Sequence, residues 1–293
     1  MKYLYNFKIS TGILFFLVIG LNAISVFGQV RNAIDYELSH NKNEQFVTVT
    51  IDFDSRLAKN TKLVIPRSGP GTYDLTNYAA FVTNVIGYSA DSKTIKGILG
   101  SGSYFEFDTL DSIKKISYDV DIKKMESELL GGFASSKLRD GYLGILGYSV
   151  FGFVESLEYQ PIHLTIKTDS SAPIFSTLRP SIDRNYGNET YEIQNFSLLA
   201  DAQYLLGNRL QLYQISAATI PLFVAVYSET EIDIEEIGRR VSLSLNGLID
   251  YFGYFFKELL VQIHLQRIIN VSCIWIHILN FIYNVFDLLR IIG

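Results

Sequence analysis

The chain has 293 residues, enough for one large or two ordinary domains, and its 48% hydrophobic against 19% charged content excludes a disordered tail, a collagen and a coiled coil. A formal charge of −5, from 25 Lys and Arg against 30 Asp and Glu, leaves no electrostatic footprint for nucleic acid, so no nucleic-acid partner is expected. One cysteine, Cys273, excludes an intrachain disulfide framework and a cysteine-built zinc cluster, and four histidines leave little for an all-histidine metal site.

The N-terminus carries Lys2 and Lys8, an apolar run from Gly12 to Gly20, and small or neutral residues up to Gly28. A basic start, an apolar centre and a small-residue cut are the parts of a secretory signal. The strictly apolar stretch is shorter than the roughly 20 residues of a membrane span. Residues 1–28 are therefore expected to be a signal peptide cleaved after Gly28, with the mature chain periplasmic or extracellular and without a membrane partner.

Strand periodicity dominates from Glu44 to about Ile166. Val47, Val49, Ile51 and Phe53 alternate with Thr48, Thr50 and Asp52; Ile116, Tyr118, Val120 and Ile122 alternate with Ser117, Asp119 and Asp121; Ile162, Leu164 and Ile166 alternate with His163 and Thr165. A period of two with one apolar side is the pattern of a half-buried strand. Shorter β-like runs lie at 62–65, 104–107 and 146–154, and clusters such as Gly100-Ser101-Gly102 and Asp169-Ser170-Ser171 read as turns. The fold expected is mainly β: an antiparallel β-sandwich over residues 29–180.

Residues 179–192 are polar and turn-rich and read as a connection. After an apolar run at 220–227, Asp233 and Glu236 form a capping-box-like start, and Ile234, Ile237, Val241, Leu245 and Leu248 line one face of a helix that Gly253 is suited to end. Residues 181–254 are thus expected to open an incomplete α/β unit, and 255–293 form an atypical apolar tail. The uncharged stretch from Ile268 to Phe286 is diluted by Asn270, His277, Asn280 and Asn284 and is marginal as a membrane span.

The stretch Pro66-Arg67-Ser68-Gly69-Pro70-Gly71-Thr72-Tyr73, continued by Tyr78-Ala79, resembles the N-terminal β-domain of the secreted glycyl-aminopeptidase-type zinc metallopeptidases, PDZ-bearing gluzincins. Pro66, Pro70, Gly71, Tyr73, Tyr78 and Ala79 fit that motif, while Ser68 stands where a Trp is common. Physically, Pro70 fixes one dihedral and Gly71 permits a positive one, which makes a tight corner. Tyr73 and Tyr78 would then pack the chain that follows against the sheet. Tyr148 to Glu155 with Pro161, Ala200 to Tyr204, Val226 to Glu229 and Tyr251-Phe252-Gly253 are similar, in order, to later parts of the same family, so the resemblance runs over about 35–255.

The resemblance implies a zinc-dependent relative in which His-Glu-x-x-His supplies two ligands and a general base. Here His40, His163, His264 and His277 are never four apart, and no such motif occurs in the 293 residues. Catalytic, metal and cofactor-binding residues are therefore expected to be none in this chain, the zinc belonging to full-length relatives. The segment from about residue 255 departs from the family pattern and reads as the altered end of a longer frame. The function expected is the non-catalytic N-terminal portion of an exported glycyl-aminopeptidase-like metallopeptidase, with peptide as partner. The alternative is a stand-alone secreted β-sandwich module that binds peptide or glycan through exposed aromatic groups. Gly97 to Gly102 lacks the Lys-Ser/Thr of a phosphate loop and reads as a β-turn, and His163 falls on the polar side of its strand.

Overall fold

The computed structural model describes residues 33–54, 62–69, 75–108, 112–129, 134–168, 174–178, 188–215, 222–228, 231–252 and 261–266. Residues 1–28, expected above to be a signal peptide, and residues 267–293 lie outside them. In chain order the strands are β1 (Ile34–His40), β2 (Phe46–Asp52), β3 (Lys62–Val64), β4 (Val82–Ser89), β5 (Thr94–Leu99), β6 (Tyr104–Phe107), β7 (Ile113–Asp121), β8 (Lys137–Arg139), β9 (Tyr142–Leu146) and β10 (Phe153–Val154). They continue with β11 (Ile162–Thr168), β12 (Ile174–Ser176), β13 (Asn188–Ile193), β14 (Gln203–Leu206), β15 (Gln211–Ile215), β16 (Leu222–Tyr227) and β17 (Val261–Gln266). The α-helices are α1 (Ile122–Glu128), α2 (Gly147–Val150), α3 (Phe196–Asp201) and α4 (Ile234–Phe252), and Tyr78–Phe81 makes one 3-10 turn.

The alternating runs become strands because their apolar sides meet one core. Val47, Val49 and Ile51 of β2, and Ile116, Tyr118 and Val120 of β7, are fully buried. Ten strands join in the order β10-β3-β6-β5-β4-β7-β2-β1-β11-β13. The expected sandwich of antiparallel sheets needs correction here. β1 runs parallel to β11, with Ile34 opposite Ile162 and His40 opposite Thr168, so the large sheet is mixed. Period-two alternation is the same whichever way a neighbour runs, which is why the sequence does not carry strand direction.

A second sheet, β12-β14-β9-β8, is buried on both faces. Leu143, Ile145, Tyr204, Leu206 and Ile174 point into the core shared with the large sheet. Tyr142, Leu205 and Phe175, the alternate positions, join Leu210, Ala225 and Tyr227 in a separate cluster. A strand covered on both sides reads as a continuous apolar run rather than an alternating one, and Tyr142 to Leu146 is such a run. Ala225 and Tyr227 in that cluster belong to β16, which pairs antiparallel with β15 and parallel with β17. Among the described residues the architecture is mainly β in three sheets, not two.

Two local expectations also change. The polar stretch 179–192 contains the start of β13, whose Glu189, Tyr191 and Ile193 face inward at the edge of the large sheet. A carboxylate in a core-facing position masked the alternation; it is accommodated by a hydrogen bond from the Tyr191 hydroxyl at 2.6 Å. The β-like run 146–154 folds instead as the short helix α2 and then β10. α4 begins where the cap was read: the Asp233 carboxylate accepts from the Glu236 amide at 2.9 Å. Ile234 and Val241 are buried on its inner side. Among the described residues, no helix is long and apolar enough to cross a membrane.

Candidate functional site

Of the family-motif residues, Pro66, Tyr78 and Ala79 are described. Pro66 follows β3 and is half-buried, and the loop beyond it closes when the Arg67 carbonyl accepts from the Thr76 amide at 2.7 Å. Pro70, Gly71 and Tyr73, the corner itself, lie outside the described residues. Tyr78 and Ala79 sit on the 3-10 turn and are buried. Tyr78 anchors this region in two ways. Its hydroxyl donates to the Ala134 carbonyl at 2.6 Å, and its ring meets Tyr148 edge-on with centroids 5.8 Å apart. Gly69 lies flat against Tyr148: a Cβ there would stand 2.4 Å from that ring. Gly69 and Tyr78 thus both pack against Tyr148 of α2, and burial pushes the Tyr78 and Tyr148 hydroxyls up from their ordinary pKa.

α2 leads into the segment that ties the layers together. Tyr118 of β7 donates to the Val150 carbonyl at 3.1 Å and accepts from the Gly152 amide at 2.7 Å. Tyr36 of β1 donates to the Gly152 carbonyl at 3.1 Å. Two fully buried tyrosines from neighbouring parts of the large sheet therefore satisfy the backbone of residues 150–152, which runs through the core without a strand partner. Phe151 stands edge-on to both Tyr36 and Tyr204. Sequence patterning marks Tyr118 as core, but not that its hydroxyl binds an irregular segment.

A cavity of about 460 Å³ opens at the far ends of β1 and β11. His40 and Thr168, paired in the strand register, form one wall. The β8–β9 turn at Asp140 and Gly141 and the turn at Gly207 and Asn208 form the other, and Tyr142, Leu143 and Leu206 are buried beneath. The two turns are locked back to back. Gly141 has φ +65° and Gly207 φ +139°, and a Cβ on Gly207 would meet the Gly141 carbonyl oxygen at 2.2 Å. The Arg209 amide donates to that same carbonyl at 3.2 Å. Behind the wall, Arg139 donates from Nε to Glu126 at 2.8 Å, and the Leu138 amide reaches the other carboxylate oxygen at 3.3 Å, so this buried charge is paired and hydrogen-bonded. Apart from His40, none of these cavity residues is singled out by sequence pattern, because they meet only through the β1–β11 and β9–β14 pairings.

Two of the four histidines, His40 and His163, have described side chains. His40 closes the end of β1, with Nδ1 3.2 Å from the Phe46 carbonyl. His163 lies on the outer side of the large sheet with Asp35 at 3.4 Å and Glu192 at 3.9 Å. Among the described residues no three His, Cys, Asp or Glu side chains converge to hold an ion.

A protein-family profile described as Peptidase M61 N-terminal domain matches residues 35–208. In overall fold the chain is similar to the aminopeptidase N family protein from Idiomarina loihiensis, with a TM-score of 0.67 at 13% identity, covering 79% of this chain and 38% of that one. Weaker likenesses reach an M1 zinc metallopeptidase from Deinococcus radiodurans, with a TM-score of 0.43 at 12% identity over 82% of this chain and 57% of the other. Leukotriene A4 hydrolase from Saccharomyces cerevisiae gives a TM-score of 0.42 at 12% identity, over 80% and 37%. The chain thus spans well under half the length of the first of these. No curated protein matches its sequence.

Proposed function

The chain belongs to the Peptidase M61 N-terminal domain family, and on that premise we propose that it serves as the non-catalytic, N-terminal portion of an exported, glycyl-aminopeptidase-like zinc metallopeptidase. In this reading the sheet-built body flanks the cleft that admits peptide N-termini, and zinc and general base belong to a catalytic domain carrying His-Glu-x-x-His. What carries the reading is the family match over residues 35–208. The fold likeness to an aminopeptidase N family protein is consistent with it. The buried anchoring of Tyr78 and Ala79 suits a motif that holds the domain's shape rather than one that performs chemistry.

The peptidase assay tests it directly. The purified chain, supplied with zinc and offered glycyl and alanyl anilide substrates, is expected to give no turnover above background. Robust hydrolysis that a chelator abolishes would overturn the non-catalytic assignment. Binding of glycan without any affinity for peptides would instead favour a stand-alone binding module.

A further inference from the structure

The edge of a sheet is a row of backbone donors and acceptors that a strand from another molecule can complete, so each end of a large sheet needs protection. The ten-strand order ends in β10 and β13, and the two ends differ. β10 is Phe153–Val154, too short at two residues to template a partner. β13 offers six residues, Asn188–Ile193, and among the described residues its pairing is with β11. Lysine and proline, common blocks on an edge, are absent from its sequence; Asn188, Thr190 and Glu192 alternate on its outward side, with Asn188 and Glu192 exposed.

The inward side of β13 holds the unusual residue. Glu189 stands opposite Ile166, in the row continued by Tyr191 opposite Leu164 and Ile193 opposite Ile162, and all six are buried. The carboxylate accepts from the Tyr191 hydroxyl at 2.6 Å, and Glu189 keeps 5% of its surface exposed. A strand laid along β13 would cover that remainder, and taking a carboxylate fully out of water is costly.

We propose that Glu189 is a built-in block on edge pairing, and that the strand it excludes is β13 of a second copy of this chain. The register identifies that competitor. Antiparallel pairing about a two-fold axis at Thr190 sets Thr190 against Thr190 and Asn188 against Glu192 on the outward side, an amide facing a carboxylate. On the inward side it sets Glu189 against Tyr191. Each side chain then meets a compatible neighbour, but the joint encloses two Glu189 carboxylates where each protomer alone holds one. The contact uses the same surface on both copies, so it closes as a dimer, and β10 gives no second edge from which a fibre could grow.

The test compares the full chain with Glu189→Gln, which keeps an acceptor for Tyr191 and removes the charge, and with Glu189→Met, which removes both. Sedimentation reads association, hydrogen exchange at residues 188–193 reads its place, and thermal melts monitor the fold. In the parent, exchange at these residues is expected not to change with concentration. The uncharged variants should dimerise at least about tenfold more tightly than the parent and exchange more slowly at residues 188–193 as concentration rises. Adding Thr190→Lys to either variant places two ammonium groups face to face on the axis and should return it to monomer. Folded variants that stay monomeric, a parent that already pairs through residues 188–193, or association that Thr190→Lys leaves unchanged overturns the proposal. Failure of both variants to fold also overturns it, by making Glu189 a residue the fold itself requires.

Discussion

The body built from the large and four-stranded sheets and the C-terminal unit of β15, β16 and α4 are joined to the core in different ways. In the body, side-chain hydroxyls do structural work: Tyr36 and Tyr118 reach across to residues 150–152, and Tyr191 covers Glu189. The described cluster that joins β16 to the body is small and apolar, centred on Tyr227 against Tyr142, with Arg209 over the Tyr227 ring at 5.9 Å. A network that satisfies buried backbone groups is expensive to break, because each orphaned group carries its full desolvation cost. A stacked pair at the edge of a small cluster is not. The two regions should therefore fail separately.

The largest expected effect is alkaline. Burial pushes the hydroxyls of Tyr36, Tyr118, Tyr142 and Tyr204 upward from the ordinary value of 10.0. A raised folded-state pKa means that the stability they contribute is complete below pH about 10 and is lost as pH climbs from there toward the folded values. Tyrosinate absorbance should then rise in one step together with loss of β-sheet circular dichroism. Smooth ionisation of all the tyrosines while the sheet signal persists would contradict the burial of these hydroxyls.

Next comes Tyr118→Phe, which leaves the Val150 carbonyl and the Gly152 amide unpaired in the core and should destabilise the body by about 2 kcal/mol in urea unfolding. A loss below about 0.5 kcal/mol would mean that residues 150–152 do not depend on this hydroxyl. Smallest globally is Tyr227→Ala. Hydrogen exchange should speed up in β15 and β16 while amides of β2 and β7 keep their protection. Uniform acceleration everywhere would show that the two regions unfold as one.

The sequence made the body's strands legible and left its connections obscure. β2, β7 and β11 follow from alternation because one side of each is fully buried. The helix start at Asp233 was legible for a local reason, a side chain capping an amide three residues on. Tyr78 of the family motif is buried in the core. What escaped is non-local. Glu189 hid a strand by placing a carboxylate inward, β9 lost its alternation because both its faces are covered, and the cavity gathers residues from five chain segments that no spacing rule connects. The Pro70-Gly71 corner lies outside the described residues.

The parallel pairing of β1 with β11 has a consequence in time. β1 meets β2 as soon as the chain turns back at residues 41–45, but its other neighbour is encoded more than a hundred residues later. During synthesis the first strand therefore waits with one edge unpaired until residue 168 has emerged, and β13 cannot add until β11 is in place.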